Sequence, residues 1–172
     1  MPFLSKSSIL VSGEKRDPGA NQSRAPSDVV WSVFTTVGAA LALIGLLDIG
    51  LLWVPFRFGV PEWEFGTVTN SLNALPVVTM GCALLLAGAL ANGRRWIARG
   101  VTGLLVVLAV WVVVAALLYA TNLPFILQAA GDPAFAEGLR KSMLKSGVQV
   151  VLFSTVFVLL ALYGWRHSGR RR

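Results

Sequence analysis

Four long apolar runs, separated by shorter polar segments, dominate the chain. They are VVWSVFTTVGAALALIGLLDIGLLWV (29–54), SLNALPVVTMGCALLLAGALA (71–91), VTGLLVVLAVWVVVAALLYA (101–120) and GVQVVLFSTVFVLLALYGW (147–165). A helix needs about 20 apolar residues to cross a hydrocarbon core of ~30 Å at ~1.5 Å per residue. All four runs reach or nearly reach that length, and Asp48 is the only charged residue inside any of them. In lipid, such segments must be helical, because a helix satisfies its own backbone polar groups. The pattern therefore predicts an all-α, four-span transmembrane helical bundle over 29–165. A polar tail rich in Pro, Gly and Ser (1–28) precedes it and a short basic tail (166–172) follows. The first tail has no apolar periodicity and reads as disordered.

Two connections carry local patterns of their own. In FRFGVPEWEFGT (56–67), Gly59, Pro61 and Gly66 punctuate the chain and argue for turns. Read as an extended strap, PEWEFG sends Glu62 and Glu64 to one side and Trp63 and Phe65 to the other, with carboxylates in water and rings in the headgroup layer. Trp53, Trp63 and Trp165 are then anchors at the membrane boundary. In GDPAFAEGLRKSMLKSG (131–147), Asp132 can cap a short helix that has Pro133 at its first position. Phe135, Leu139 and Met143 share one face of it, which predicts an amphipathic helix leading into the fourth span.

Composition agrees with this solvent. Apolar residues make up 55% and charged residues 13% of the chain, where soluble domains carry about 25% charged residues. The mean hydropathy is +0.70. A single cysteine, Cys82, excludes an intrachain disulfide and a thiolate metal cluster. The net charge of +7 matters through its distribution. Eleven basic residues lie in the two tails and in the loop NGRRWIARG, and four (Arg57, Arg140, Lys141, Lys145) lie in the other two connections. The positive-inside rule then places both termini in the cytoplasm, N-in and C-in. The expected location is the cell membrane as a multi-pass protein, which in a bacterium means the inner membrane. The split of charge among membrane-flanking segments points to anionic lipid headgroups as partners and away from nucleic acid.

Small residues mark helix contacts. Gly38, Ala42 and Gly45 form a stripe on the first span, continued by Thr35. Ala83, Ala87 and Ala91 form one on the second, and Gly81 and Gly88 lie seven apart on another of its faces. Such residues let helix backbones approach closely where lipid gives no hydrophobic drive. The first two spans are expected to be neighbours. Asp48 is costly in lipid and calls for a partner or a cavity. Lys145 and Gln149, four apart at the start of the fourth span, are candidates. An Asp48–Lys145 pair would staple spans one and four, or line an outer vestibule topped by Glu62 and Glu64.

Recognisable catalytic chemistry is missing. The only histidine, His167, sits in the basic tail, and there is no H-E-x-x-H motif and no phosphate-binding glycine loop. No catalytic, metal or cofactor residue is assigned. The expected function is that of a non-enzymatic accessory or assembly subunit, acting by helix packing in a homo-oligomer or with other membrane proteins. The alternative is a subunit of an oligomeric small-solute or ion transporter or channel with its polar vestibule at Asp48. A third reading, an enzyme subunit holding a lipid-soluble cofactor, would place it at Trp111 in the third span.

Overall fold

The computed structural model describes residues 26–129 and 133–169. The polar tail through residue 25, the Asp132 cap and the last three arginines lie outside the described residues. Four helices account for nearly everything else: α1 (Pro26–Leu52), α2 (Pro61–Ala91), α3 (Arg95–Ala129) and α4 (Pro133–Gly169). There is no strand among the described residues. Each helix is long and apolar enough to span a membrane, so the chain is a multi-pass membrane protein with an all-helical fold. Large apolar side chains such as Leu43, Leu117 and Leu159 stand exposed on the outer faces. That arrangement is unfavourable in water and costs nothing in lipid.

The helices run up and down in sequence. The end that holds the start of α1, the α2–α3 turn and the end of α4 is called here the termini end. The end that holds residues 53–60 and the α3–α4 connection is the loop end. α2, α3 and α4 reach further than their apolar runs, whereas α1 starts three residues before its run and stops at Leu52, two residues short of the run's end. α2 begins ten residues before its run, and Glu62 and Glu64 occupy its first turn. Pro61 sits where the helix has no donor to lose, and the two carboxylates face the positive end of the helix dipole. The extended strap is therefore confined to the residues before Pro61. α3 continues to Ala129 straight through Pro124, and α4 is continuous from Pro133 through Gly138 and Gly147. The amphipathic segment is thus the first part of α4 and not a separate helix. Leu139 is buried and Arg140 exposed, as that amphipathic pattern requires.

The α2–α3 turn is short because glycine closes it. Gly93 has φ +66°. The amide of Arg94 bonds the carbonyl of Ala89 at 2.8 Å, and that of Gly93 bonds Leu90 at 3.2 Å. This pair of bonds is a Schellman ending, which satisfies carbonyls that the helix end would leave free.

Packing is asymmetric. α2, α3 and α4 surround a common core in which Leu72, Leu75, Leu86, Leu105, Val112 and Phe157 are fully or almost fully buried. α1 packs on α2 alone, and its backbone approaches neither α3 nor α4. The fold is a three-helix cluster with an outrigger.

The outrigger seam is lined by Thr35, Gly38, Ala42 and Gly45 of α1, all buried. A Cβ on Gly38 would lie 2.5 Å from the Leu85 amide nitrogen and 2.8 Å from the Gly81 carbonyl oxygen. Gly81 and Gly88 of α2 face the same seam, against Ala42 and Thr35. Ala83, Ala87 and Ala91 do not supply this contact: Ala87 and Ala91 are exposed and Ala83 is half-buried. The reason is angular. At 100° per residue, the positions that face α1 (78, 81, 85 and 88) run along a different line of α2 from the alanines.

Candidate functional site

Polar and aromatic side chains gather at the loop end. The chain leaves α1 through Trp53 and a cis Val54–Pro55 peptide, then turns at Gly59, whose φ of +88° requires glycine. Glu64, in the first turn of α2, fixes this turn and joins it to α3. One carboxylate oxygen accepts the Gly59 N–H at 2.7 Å. The other accepts the Asn122 amide of α3, which also donates to the Leu118 carbonyl at 3.0 Å. Glu64 and Glu62 therefore part company. Two residues apart on a helix, they point about 200° from one another, so Glu62 faces solvent while Glu64 faces α3 and is half-buried.

Beside this clasp lies an aromatic cluster. Trp53 meets Phe58, Trp63 and Trp111 at ring-centre distances of 6.0, 5.9 and 6.4 Å. Its indole N–H donates to Ser71 of α2 at 3.2 Å. Trp53 and Trp63 are thus turned onto one another and half-buried, whereas Phe56 and Phe58 are exposed. Trp165, at the termini end, stands 75% exposed. Next to the cluster, Phe65 stacks on Tyr119 at 4.7 Å.

A polar seam continues inward between α2, α3 and α4. Gln149 donates to the Asn73 side chain at 3.4 Å. The hydroxyls of Tyr119 and Ser146 lie near each other between α3 and α4 without a well-formed hydrogen bond. Buried polar atoms of Thr69, Tyr119, Ser146, Ser154 and Gln149 have no partner, and Ser146 is only 2% exposed. Unpaired buried polar groups are unfavourable, and these five atoms are contributed by α2, α3 and α4.

The sequence candidates divide accordingly. Glu64 and Gln149 belong to this loop-end network. Asp48, Glu62 and Lys145 do not. All three are exposed, and no ion pair among the described residues includes them. The proposed Asp48–Lys145 staple is not formed, because α1 does not approach α4. An ion pair among the described residues, Lys141–Glu137 at 2.8 Å, is exposed and lies one helical turn apart on α4. Asn122, Asn73, Ser71 and Tyr119 were missed by sequence reasoning. Tyr119 and Asn122, three apart, would have signalled a polar face, had α3 been extended past Thr121.

Cys82 is fully buried as a small apolar residue, and Phe153 and Phe157 are core. No group of three or more potential metal ligands occurs among the described residues. Comparisons with protein-family models, with curated proteins and with solved structures found no match.

Proposed function

We propose that this chain is a small multi-pass membrane protein, N-in and C-in, that works without catalysis by docking its α1 outrigger against a transmembrane helix of a partner chain. The observation that carries this reading is the single-sided packing of α1. In a closed four-helix bundle each helix has two neighbours; α1 has one. Its free flank exposes Val33, Val37, Ile44 and Leu47 and also Asp48. That carboxylate lies four residues from the helix end, about 6 Å inside it. A charge at such a depth favours a polar group on a neighbouring helix or access to water. The distribution of basic residues supports the proposed orientation, and with it a place in the cell membrane, the inner one in a bacterium.

The test is a photo-crosslinking amino acid at Ile44 on α1, compared with one at Leu159 on α4, in cells at native expression. The reading expects a protein adduct at Ile44, whether a partner chain or a second copy, that weakens with Asp48→Asn and is absent at Leu159. Lipid adducts alone at both positions would overturn it.

A second reading is favoured by the polar seam in which single buried atoms of Thr69, Tyr119, Ser146 and Gln149 lack a partner. In it the chain is one subunit of an oligomeric small-solute or ion transporter or channel, with the seam hydrated in a conducting state. Reconstituted vesicles separate the two: the docking reading expects ion and solute flux at background, and the transport reading expects flux that Ser146→Ala changes.

A further inference from the structure

The termini end has a feature of a different kind. Arg99, Thr102, Gly103 and Val106 of α3, with Trp165 and Ser168 of α4, line an open groove of about 430 Å³. Steps of three and four residues put the four α3 positions on one helix face. From Arg99 to Val106 the groove descends about 10 Å along the axis, and its lining changes from cation to hydroxyl to bare backbone to alkyl. That order matches an amphiphile standing upright in a leaflet.

The chemistry at the upper end suits an anion. Arg99 is exposed and makes no ion pair among the described residues, and no acidic side chain lines the groove. Arg166 stands exposed one residue beyond Trp165, at the same end. Thr102 and Ser168 are buried, and each has committed its proton to the backbone of its own helix, to the carbonyls of Ala98 at 2.8 Å and Trp165 at 3.3 Å. Their oxygens keep lone pairs that can accept from a hydroxylated headgroup. Trp165 supplies an indole wall at the depth where tails meet headgroups, the position tryptophan favours. Gly103 makes the lower part of the groove, because nothing lies within 4 Å of where its Cβ would stand. Exposed Val106 and Val110 continue the apolar track below.

We propose that this groove binds one anionic phospholipid per chain. Its phosphodiester sits on Arg99, its headgroup hydroxyls reach Thr102 and Ser168, and an acyl chain lies along Gly103 and Val106. The proposal needs only that the helices span a bilayer. It is independent of partner docking at α1, a helix that contributes nothing to the groove, so the two ideas fail separately.

Native mass spectrometry of the full-length protein tests it. Detergent-solubilised protein is given phosphatidylglycerol or phosphatidylcholine with the same acyl chains. Wild type is expected to retain one phosphatidylglycerol in preference to phosphatidylcholine. Arg99→Gln should lower phosphatidylglycerol retention roughly fivefold, the worth of one basic residue at an anionic surface, and lower phosphatidylcholine retention less, because the choline cation offsets the phosphate charge there. Gly103→Leu should fill the groove and lower retention of both lipids. It adds bulk into open space and improves helix propensity, so its thermal unfolding by circular dichroism should match wild type and separate occlusion from misfolding. Equal retention of the two lipids by wild type, or undiminished retention by a folded Gly103→Leu variant, would overturn the proposal.

Discussion

Gly38→Ala is the sharpest probe of how α1 is held. The added Cβ would lie 2.5 Å from the Leu85 nitrogen and 2.8 Å from the Gly81 oxygen, where ordinary contact begins near 3.4 Å. Both obstacles are backbone atoms of α2, which no rotamer change can move. The helices must therefore separate by about 1 Å, enough to forfeit a quarter to a half of each dispersion contact along the seam. Overpacking of this kind costs about 1–3 kcal/mol, and rigid neighbours put it near the upper bound. Alanine returns about 1 kcal/mol in helix propensity, so the net loss should be about 2 kcal/mol. Gly103→Ala is the matched control: it is the same exchange in a helix interior with nothing within 4 Å of the new atom. It should be neutral or stabilising by up to about 1 kcal/mol. Dyes attached to cysteines at Ile44 of α1 and Leu159 of α4, both 60% exposed, report the outrigger's separation by energy transfer in a Cys82→Ala background. An SDS titration in mixed micelles then gives the free-energy difference. If Gly38→Ala separates no more easily than Gly103→Ala, the seam is not close-packed and the account of α1 is wrong.

Three further outcomes follow from the loop end and the core. Glu64→Ala removes the acceptor shared by Gly59 and Asn122 and should cost about 1–2 kcal/mol at this half-buried site; unfolding midpoints and faster chymotrypsin cleavage at exposed Phe56 and Phe58 check it. Trp53→Phe keeps a ring in the cluster but deprives fully buried Ser71 of its donor, a loss of about 1 kcal/mol, whereas Trp53→Ala also empties the cluster and should cost about 3–5 kcal/mol; denaturation of both variants in parallel measures the difference. Cys82 has no exposed surface, so a maleimide should leave folded protein unlabelled and modify it stoichiometrically once SDS unfolds the core, as intact mass spectrometry would record.

The spans were legible because lipid as solvent leaves a crude signature: long runs with almost no charge. Their ends were not, because the residues that look like breaks have other uses here. Pro61 reads as a turn residue but opens α2, and the third apolar run stops at residue 120 whereas α3 continues through Pro124 to Ala129. Membrane helices tolerate interior proline when neighbouring groups satisfy the freed carbonyls. Those misplaced ends hid the loop-end network. Glu64 lay in a supposed strap and Asn122 in a supposed loop, so their contact across 58 positions had no helical frame in which to be foreseen. Asp48 shows the opposite error. An isolated charge in an apolar run suggested a partner within the chain, but depth says nothing about azimuth. The residue faces outward because the α1 stripe that meets α2 runs through Gly45 and Ile49, beside it.

α2 emerges as the hub, with two unlike faces that divide the work of holding the fold. Toward α3 and α4 it presents Leu72, Leu75 and Leu86, and toward α1 it presents glycine backbone. The first face interlocks side chains. The second depends on close approach alone, because lipid supplies no apolar drive to replace lost contacts. α1 is additionally fastened at the loop end, where Trp53 grips Ser71, Trp63 and Trp111. Toward the termini end its hold on the bundle is the seam around Thr35 and Gly88. The outrigger is therefore pinned at one end and held by shape along the rest. Such an element opens at lower free energy than the core it borders, and its opening would begin at the termini end. A partner helix on the free flank would be expected to raise that opening energy by the part of its binding free energy that the open form loses. Docking and seam stability are then one linked equilibrium, and variants that loosen the seam should weaken the partner as well.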